Sequence, residues 1–145
     1  MILTALALAL APAPCKTFDT SLPRDLAGWR RLGRTLDTGH AVLLPAKGKA
    51  AETNVTIRKA GTFGIAVDQQ AWVDVWRGSA RPLAMAAESR GPACSTIRKI
   101  VRYNLRPGNY RVTVTRIAGA RARLMLVHSD ARKPHEVLRR YRRHR

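Results

Sequence analysis

Acidic residues are scarce in this sequence. It contains 27 Lys and Arg but only nine Asp and Glu, which gives a formal net charge of +18. The acidic residues are scattered singly along the chain. A positive field of this size favours anionic partners, such as an anionic polymer of the cell envelope or a membrane surface.

Histidine and the short catalytic motifs are also scarce. There are four His, and neither an H-x-H or H-E-x-x-H spacing nor a G-x-S-x-G motif occurs. The sequence therefore predicts no metal site and no cofactor. One catalytic arrangement remains open, in which Asp74, flanked by Trp72 and Trp76, meets His40 or His128 in the fold.

Hydrophobic runs long enough to cross a bilayer are absent. A short hydrophobic run lies at the N-terminus. Residues 2–10, "ILTALALAL", are too few to cross a bilayer and are followed by the small-residue pattern Ala11-Pro12-Ala13. This pattern predicts a signal peptide over residues 1–13, no transmembrane segment, and a periplasmic or secreted protein. A first buried strand or helix is the alternative for the same residues.

Only two cysteines occur, Cys15 and Cys94. An even count in an exported chain predicts one disulfide between them, because thiols oxidise in such compartments. Two alternatives stay open but are not favoured, because a metal site would need more ligands than two distant cysteines provide and a catalytic thiol would need a paired His.

The middle of the chain has the composition of a β protein. Residues 40–128 are rich in Val, Ile, Leu, Thr and aromatic residues, in short runs broken by Gly, Pro and Asn. The pattern predicts an all-β, two-sheet antiparallel sandwich, jelly-roll-like, as a single domain over residues 14–131. For residues 22–34 two alternatives are open, one helical turn or a loop that covers the sheets. The eight predicted strands are 40–46, 53–59, 62–68, 72–78, 83–89, 96–104, 110–116 and 121–128.

Two segments repeat one pattern. "GTFGIAV" at 61–67 and "GNYRVTV" at 108–114 both place an aromatic and two β-branched residues at alternate positions after a glycine. Side chains two apart point to the same face of a strand. The repeat therefore predicts that six residues share the core: Phe63, Ile65, Val67, Tyr110, Val112 and Val114.

The same two segments carry a family resemblance. "IRKAGTFGIAVDQQAWVDVWRG" and "IVRYNLRPGNYRVTV" resemble bacterial pre-peptidase C-terminal domains, which are small secreted β-sandwiches with an "aGtY" turn and a later "L.pGtY" turn. The resemblance covers roughly residues 53–128. It implies an accessory domain of the kind appended to exported enzymes, where some members bind matrix polymers or calcium. Here we expect a single domain followed by a basic tail, which departs from the family's plan.

Three groups of side chains are candidates for binding. If the strands that carry them are neighbours, Arg98, Arg102 and Arg111 share one outer face as an anion site. The alternative, a solvated sheet face, is the more ordinary explanation of such charges. Trp72 and Trp76 fall on one face of their strand, and flat aromatic rings there suit stacking on a sugar.

The third candidate is the basic tail, residues 132–145, which carries a net charge of +6. A short amphipathic helix beginning at Pro134 and a solvated tail are both open for this segment. Its candidate contacts are Arg139, Arg140, Arg142 and Arg143.

Together these features predict a small exported, non-catalytic binding or structural module at the cell envelope that binds an anionic polymer or a glycan. Export argues against nucleic acid as the physiological partner. The alternative is a small secreted enzyme that uses Asp74 with a His on the sheet face. The oligomeric state is left open.

Overall fold

The computed structural model describes residues 14–78 and 81–129. The predicted signal peptide and basic tail lie outside these residues. One 3₁₀ helix (Arg24–Arg30) precedes eight strands, which confirms the predicted all-β class. No helix in the described ranges is long and apolar enough to cross a membrane. The strands are β1 (Ala41–Pro45), β2 (Ala51–Ile57), β3 (Gly61–Val67), β4 (Trp72–Trp76), β5 (Ala87–Arg90), β6 (Lys99–Leu105), β7 (Gly108–Thr115) and β8 (Arg121–Ser129).

The strands form two antiparallel sheets, in the orders β1-β8-β3-β6-β5 and β2-β7-β4. Three pairs are nested in sequence, because β1 pairs with β8, β2 with β7, and β3 with β6. This nesting is that of a long hairpin rolled into a sandwich, as in a jelly roll. The predicted two-sheet sandwich is therefore confirmed.

The fourth nested pair, between β4 and β5, is almost lost. Pro82 forms an isolated bridge with Trp76, and the amide of Leu83 donates to the carbonyl of Val75 at 2.8 Å. The chain then crosses to the other sheet, where β5 pairs with β6. Because Pro82 lacks an amide hydrogen, it cannot extend the hydrogen-bond ladder with β4. The predicted strand 83–89 is thus wrong in extent, because its two halves lie against different sheets.

The core between the sheets contains all six predicted residues. Each of the six is buried, with Val112 and Val114 fully so. The Tyr110 hydroxyl accepts a hydrogen bond from the amide of Arg106 at 3.1 Å and donates to the carbonyl of the same residue at 2.8 Å. This ring therefore anchors the turn in which the chain passes from β6 in one sheet to β7 in the other.

The 3₁₀ helix covers the outer face of the five-stranded sheet. Both expectations for residues 22–34 are therefore met, since the segment forms a short helix and also covers the sheet. Trp29, fully buried, packs in a second cluster with Ile100 of β6. This cover explains why the alternation of β6 is imperfect, since Ile100 is buried on the outer side. Lys99, the other exception, has its amine 3.5 Å from the Glu88 carboxylate at the sheet edge.

The predicted disulfide between Cys15 and Cys94 is present. Beside it, Asp19 accepts hydrogen bonds from the Thr96 amide at 2.8 Å and the Thr96 hydroxyl at 2.6 Å. The indole nitrogen of Trp29 donates to the same hydroxyl at 2.9 Å. One covalent and several polar links therefore fasten the N-terminal segment, the β5–β6 loop and the helix to each other.

Candidate functional site

The three arginines predicted to share a face do not do so. Arg102 lies on the outer face of the five-stranded sheet and Arg98 directly precedes its strand β6, whereas Arg111 lies on the outer face of the three-stranded sheet. The physical reason is that β6 and β7, although consecutive, belong to different sheets. The predicted common anion site is therefore wrong.

Arg102 also has a structural role. Its Nε donates to the Ser129 hydroxyl at 2.9 Å, and its guanidinium donates to the Ser89 hydroxyl at 2.6 Å. Between these partners it crosses β3 at Gly64, where an added Cβ would lie 3.6 Å from the Arg102 Cγ and 2.6 Å from the Ile100 Cγ2. The side chain thus ties three strands together.

In the enzyme alternative, Asp74 lies on a different surface from both histidines. Asp74 is on the outer face of the three-stranded sheet. His128 is the penultimate residue of β8 in the other sheet, with its ring 5.0 Å from that of Phe63. His40 lies in the loop before β1, with its Nδ1 3.3 Å from a carboxylate oxygen of Asp37. The fold does not assemble the Asp74–His pair.

An open cleft lies at the end of the sandwich where β2 and β8 finish. Asp37, His128, Arg58 and Phe63 are among its lining residues. Sequence reasoning did not single out Asp37, whose loop brings it to the cleft. Throughout the described part of the chain, no group of three or more His, Cys, Asp or Glu side chains could hold a metal ion.

The outer face of the three-stranded sheet carries the predicted tryptophans. In β4, Trp72, Asp74 and Trp76 point outward, while Val73 and Val75 alternate with them and are buried. Trp72 keeps 54% of its surface exposed. We call this outward surface of β4 and β7 the tryptophan face.

Neighbouring strands hold Trp76 in place. Its indole nitrogen donates to the Thr113 hydroxyl at 2.9 Å, and the guanidinium carbon of Arg111 lies 5.0 Å from its ring centroid. Arg111 also approaches the Glu52 carboxylate of β2 at 3.6 Å. Both contacts to this ring therefore come from β7, and Arg111 is linked in turn to β2.

Trp72 has a similar partner in Arg116, whose guanidinium carbon is 5.7 Å from its ring centroid. The alternation of β7 would point residue 116 inward. The backbone of Arg116 has φ +58°, however, which breaks the alternation at the strand end. Sequence reasoning missed Arg116, because side-chain periodicity does not reveal where a strand leaves the extended conformation.

Tyr103 connects the two sheets behind the tryptophan face. From β6 its hydroxyl donates to the carbonyl of Val73 in β4 at 3.1 Å. Burial, together with the smaller effects of the Asp74 and Glu88 carboxylates, raises the pKa of Tyr103 to about 12. The phenol thus stays neutral and keeps donating to the strand that carries both tryptophans.

Comparisons of the chain with models of protein families, with curated proteins and with solved structures gave no match. The resemblance to pre-peptidase C-terminal domains therefore stays a prediction.

Proposed function

We propose that this chain is an exported, non-catalytic module of the cell envelope that binds a glycan on the tryptophan face. The observation that carries the proposal is the outward row Trp72, Asp74 and Trp76, in which Trp72 is more than half exposed. Flat indole rings stack on the apolar faces of sugars, and the carboxylate between them accepts hydrogen bonds from hydroxyl groups.

The spacing of the row suits an oligosaccharide rather than a single sugar. Trp72 and Trp76 are four residues apart on one strand, a separation of about 13 Å at the usual rise per residue. One sugar ring is too short to contact both indoles. A chain of several sugars laid along β4 contacts both rings and passes over Asp74.

Two observations support export. The Cys15–Cys94 disulfide is the type of bond that persists in oxidising compartments. The N-terminal sequence independently fits a cleaved signal peptide. Both agree with a periplasmic or secreted location, where glycans of the envelope are accessible.

The enzyme alternative lacks comparable support. It required Asp74 to meet His40 or His128, and Asp74 lies on the outer face of the other sheet from both histidines. The tryptophan face itself presents stacking and hydrogen-bonding groups but no histidine. Its chemistry is that of recognition.

The test is a binding screen of the protein against an oligosaccharide array, followed by Trp72→Ala. We expect the variant to bind the best ligand at least about tenfold more weakly, because stacked aromatic residues are typical binding hot spots. Stability should change by less than about 0.5 kcal/mol, since the side chain is largely exposed.

The matched control is Phe18→Ala, which removes another aromatic ring that is 57% exposed but lies in the N-terminal segment. It should leave binding unchanged. Equal losses in the two variants, or no bound glycan at all, would overturn the proposal.

A further inference from the structure

A hollow with two cationic side chains adjoins Trp72 at the end of the three-stranded sheet. It lies between the β1–β2 loop and the β7–β8 loop. Two of its five lining residues are basic and none is acidic. We call it the basic hollow, and it is lined by Lys49, Arg116, Ile117, Ala118 and Gly119.

Both basic residues have an unusual backbone. Lys49 has φ +62° and Arg116 has φ +58°, in the left-handed region that residues with a side chain seldom adopt. Glycine adopts this conformation without strain, and Gly48 and Gly119 nearby do so. Strained residues of this kind concentrate at functional sites. Here they come from two separate loops and line one hollow.

The loops are also joined. The amide of Ile117 donates to the carbonyl of Lys49 at 2.9 Å, which fixes the two strained residues relative to each other. Within residues 14–78 and 81–129, neither Lys49 nor Arg116 forms an ion pair, whereas Arg111 approaches Glu52. Their charges are therefore available to an anionic ligand.

Arg116 belongs to both the basic hollow and the tryptophan face, since its guanidinium lies 5.7 Å from the Trp72 ring. A sugar stacked on Trp72 thus places its substituents beside the hollow. We infer that the basic hollow is an anion subsite, and that the glycan bound is acidic, with a carboxylate, sulfate or phosphate group held by Lys49 and Arg116. This inference rests on the proposed function of the tryptophan face.

The overall charge agrees with this inference. The described residues contain 20 Lys and Arg against seven Asp and Glu, a formal net charge of +13. Such a field increases the encounter rate with a polyanion. Charge-assisted hydrogen bonds from a lysine and an arginine then give the subsite its specificity.

The experiment compares each acidic probe with its uncharged counterpart on the full chain. The probes are oligosaccharides of uronic acids, sulfated sugars and phosphorylated sugars, paired with their methyl-esterified, desulfated and dephosphorylated forms. We expect the best acidic probe to bind at least about tenfold more tightly than its uncharged form.

The variants are Lys49→Gly and Arg116→Gly. Each removes a cation and also relieves the strained backbone, so we expect each variant to melt at the same temperature as the original protein. Each should abolish most of the preference for the acidic form. The control Lys47→Gln removes the same charge from the same loop, but at a residue that does not line the hollow, and it should retain the preference.

Every other outcome decides against one of the two proposals. Binding that needs Trp72 but is equal for charged and uncharged probes, or is unchanged in both glycine variants, overturns the anion subsite and leaves the glycan face. Absence of any Trp72-dependent glycan binding overturns the proposed function as well. If single-stranded DNA alone binds through Lys49, Arg116 and Trp72, the face recognises nucleic acid and both proposals fail.

Discussion

Removing the Cys15–Cys94 disulfide should destabilise the fold considerably. The bond joins residues 79 apart in sequence, so the chain that it closes contains most of the described strands. In the unfolded state such a closure removes conformational freedom worth about 4.5 kcal/mol in the chain-entropy treatment. The double variant Cys15→Ser, Cys94→Ser restores that freedom.

The native state offsets part of this loss. Without the bond, Asp19 still accepts two hydrogen bonds from Thr96, which keep the segment attached at that point. Residues 14–18 before it are then held less firmly, and any freedom they gain stabilises the folded state. We therefore expect the free energy of unfolding to fall by about 2 to 4 kcal/mol.

Urea unfolding of the oxidised protein and the double variant measures the difference. The slope with urea should be steeper for the variant, because an unlinked unfolded chain exposes more surface. Phe18→Ala, in the same segment with the bond intact, is the control. A loss below about 1 kcal/mol with an unchanged slope would refute the reasoning. Thiol labelling of the unfolded, unreduced protein should find no free cysteine, and two labelled thiols would refute the bond itself.

Three further predictions concern the core. Val112→Ala should cost about 1 to 3 kcal/mol in urea unfolding, because Val112 is fully buried, and a negligible loss would contradict a shared core. Gly64→Ala should lower the free energy of unfolding by about as much, since its Cβ would lie 2.6 Å from the Ile100 Cγ2. The control Gly39→Ala should have a small effect, because the nearest atom to its Cβ would be 3.6 Å away. Because the pKa of Tyr103 is raised to about 12, its contribution to stability is complete below pH 10 and is lost as the pH rises to 12. An ultraviolet titration should show this late ionisation, and Tyr103→Phe should remove it.

The fold class could be predicted because its signals are local. Alternation of apolar residues along β3 and β7 correctly identified the six core residues, since side-chain direction in a strand depends only on the backbone period. The disulfide also followed from two local signals, the even cysteine count and the N-terminal export pattern. Both inferences needed no knowledge of how the strands pair.

Sheet membership could not be predicted in the same way. The short turn "LRPGNY" between β6 and β7 has the length of a hairpin, but Tyr110 anchors it so that the strands enter different sheets. That one geometric choice separates Arg102 from Arg111. Side-chain periodicity cannot predict whether β6 and β7 pair in one sheet or enter different sheets, because both arrangements bury the same alternate residues.

The basic hollow was equally invisible in the sequence. Lys49 and Arg116 are 67 positions apart, and only the adjacency of the β1–β2 and β7–β8 loops brings them together. Their positive φ angles are also not encoded in any composition signal, since glycine is the residue expected at such positions. Sequence patterns therefore predict neither the contacts between distant loops nor the residues with a strained backbone.

The contrast among the three tryptophans bears most directly on the proposed function. Trp29 belongs to the 3₁₀ helix and is fully buried against the five-stranded sheet, with its indole nitrogen donating to the Thr96 hydroxyl, so it stabilises the fold. An exposed aromatic residue alone would carry little information, because much of any protein surface is apolar. Trp72 and Trp76, however, occupy two outward positions of one five-residue strand, with a carboxylate between them. Solvation of a sheet face needs no such residues, since its outward positions are ordinarily polar. The arrangement of the row, rather than its exposure, therefore favours a ligand on this face.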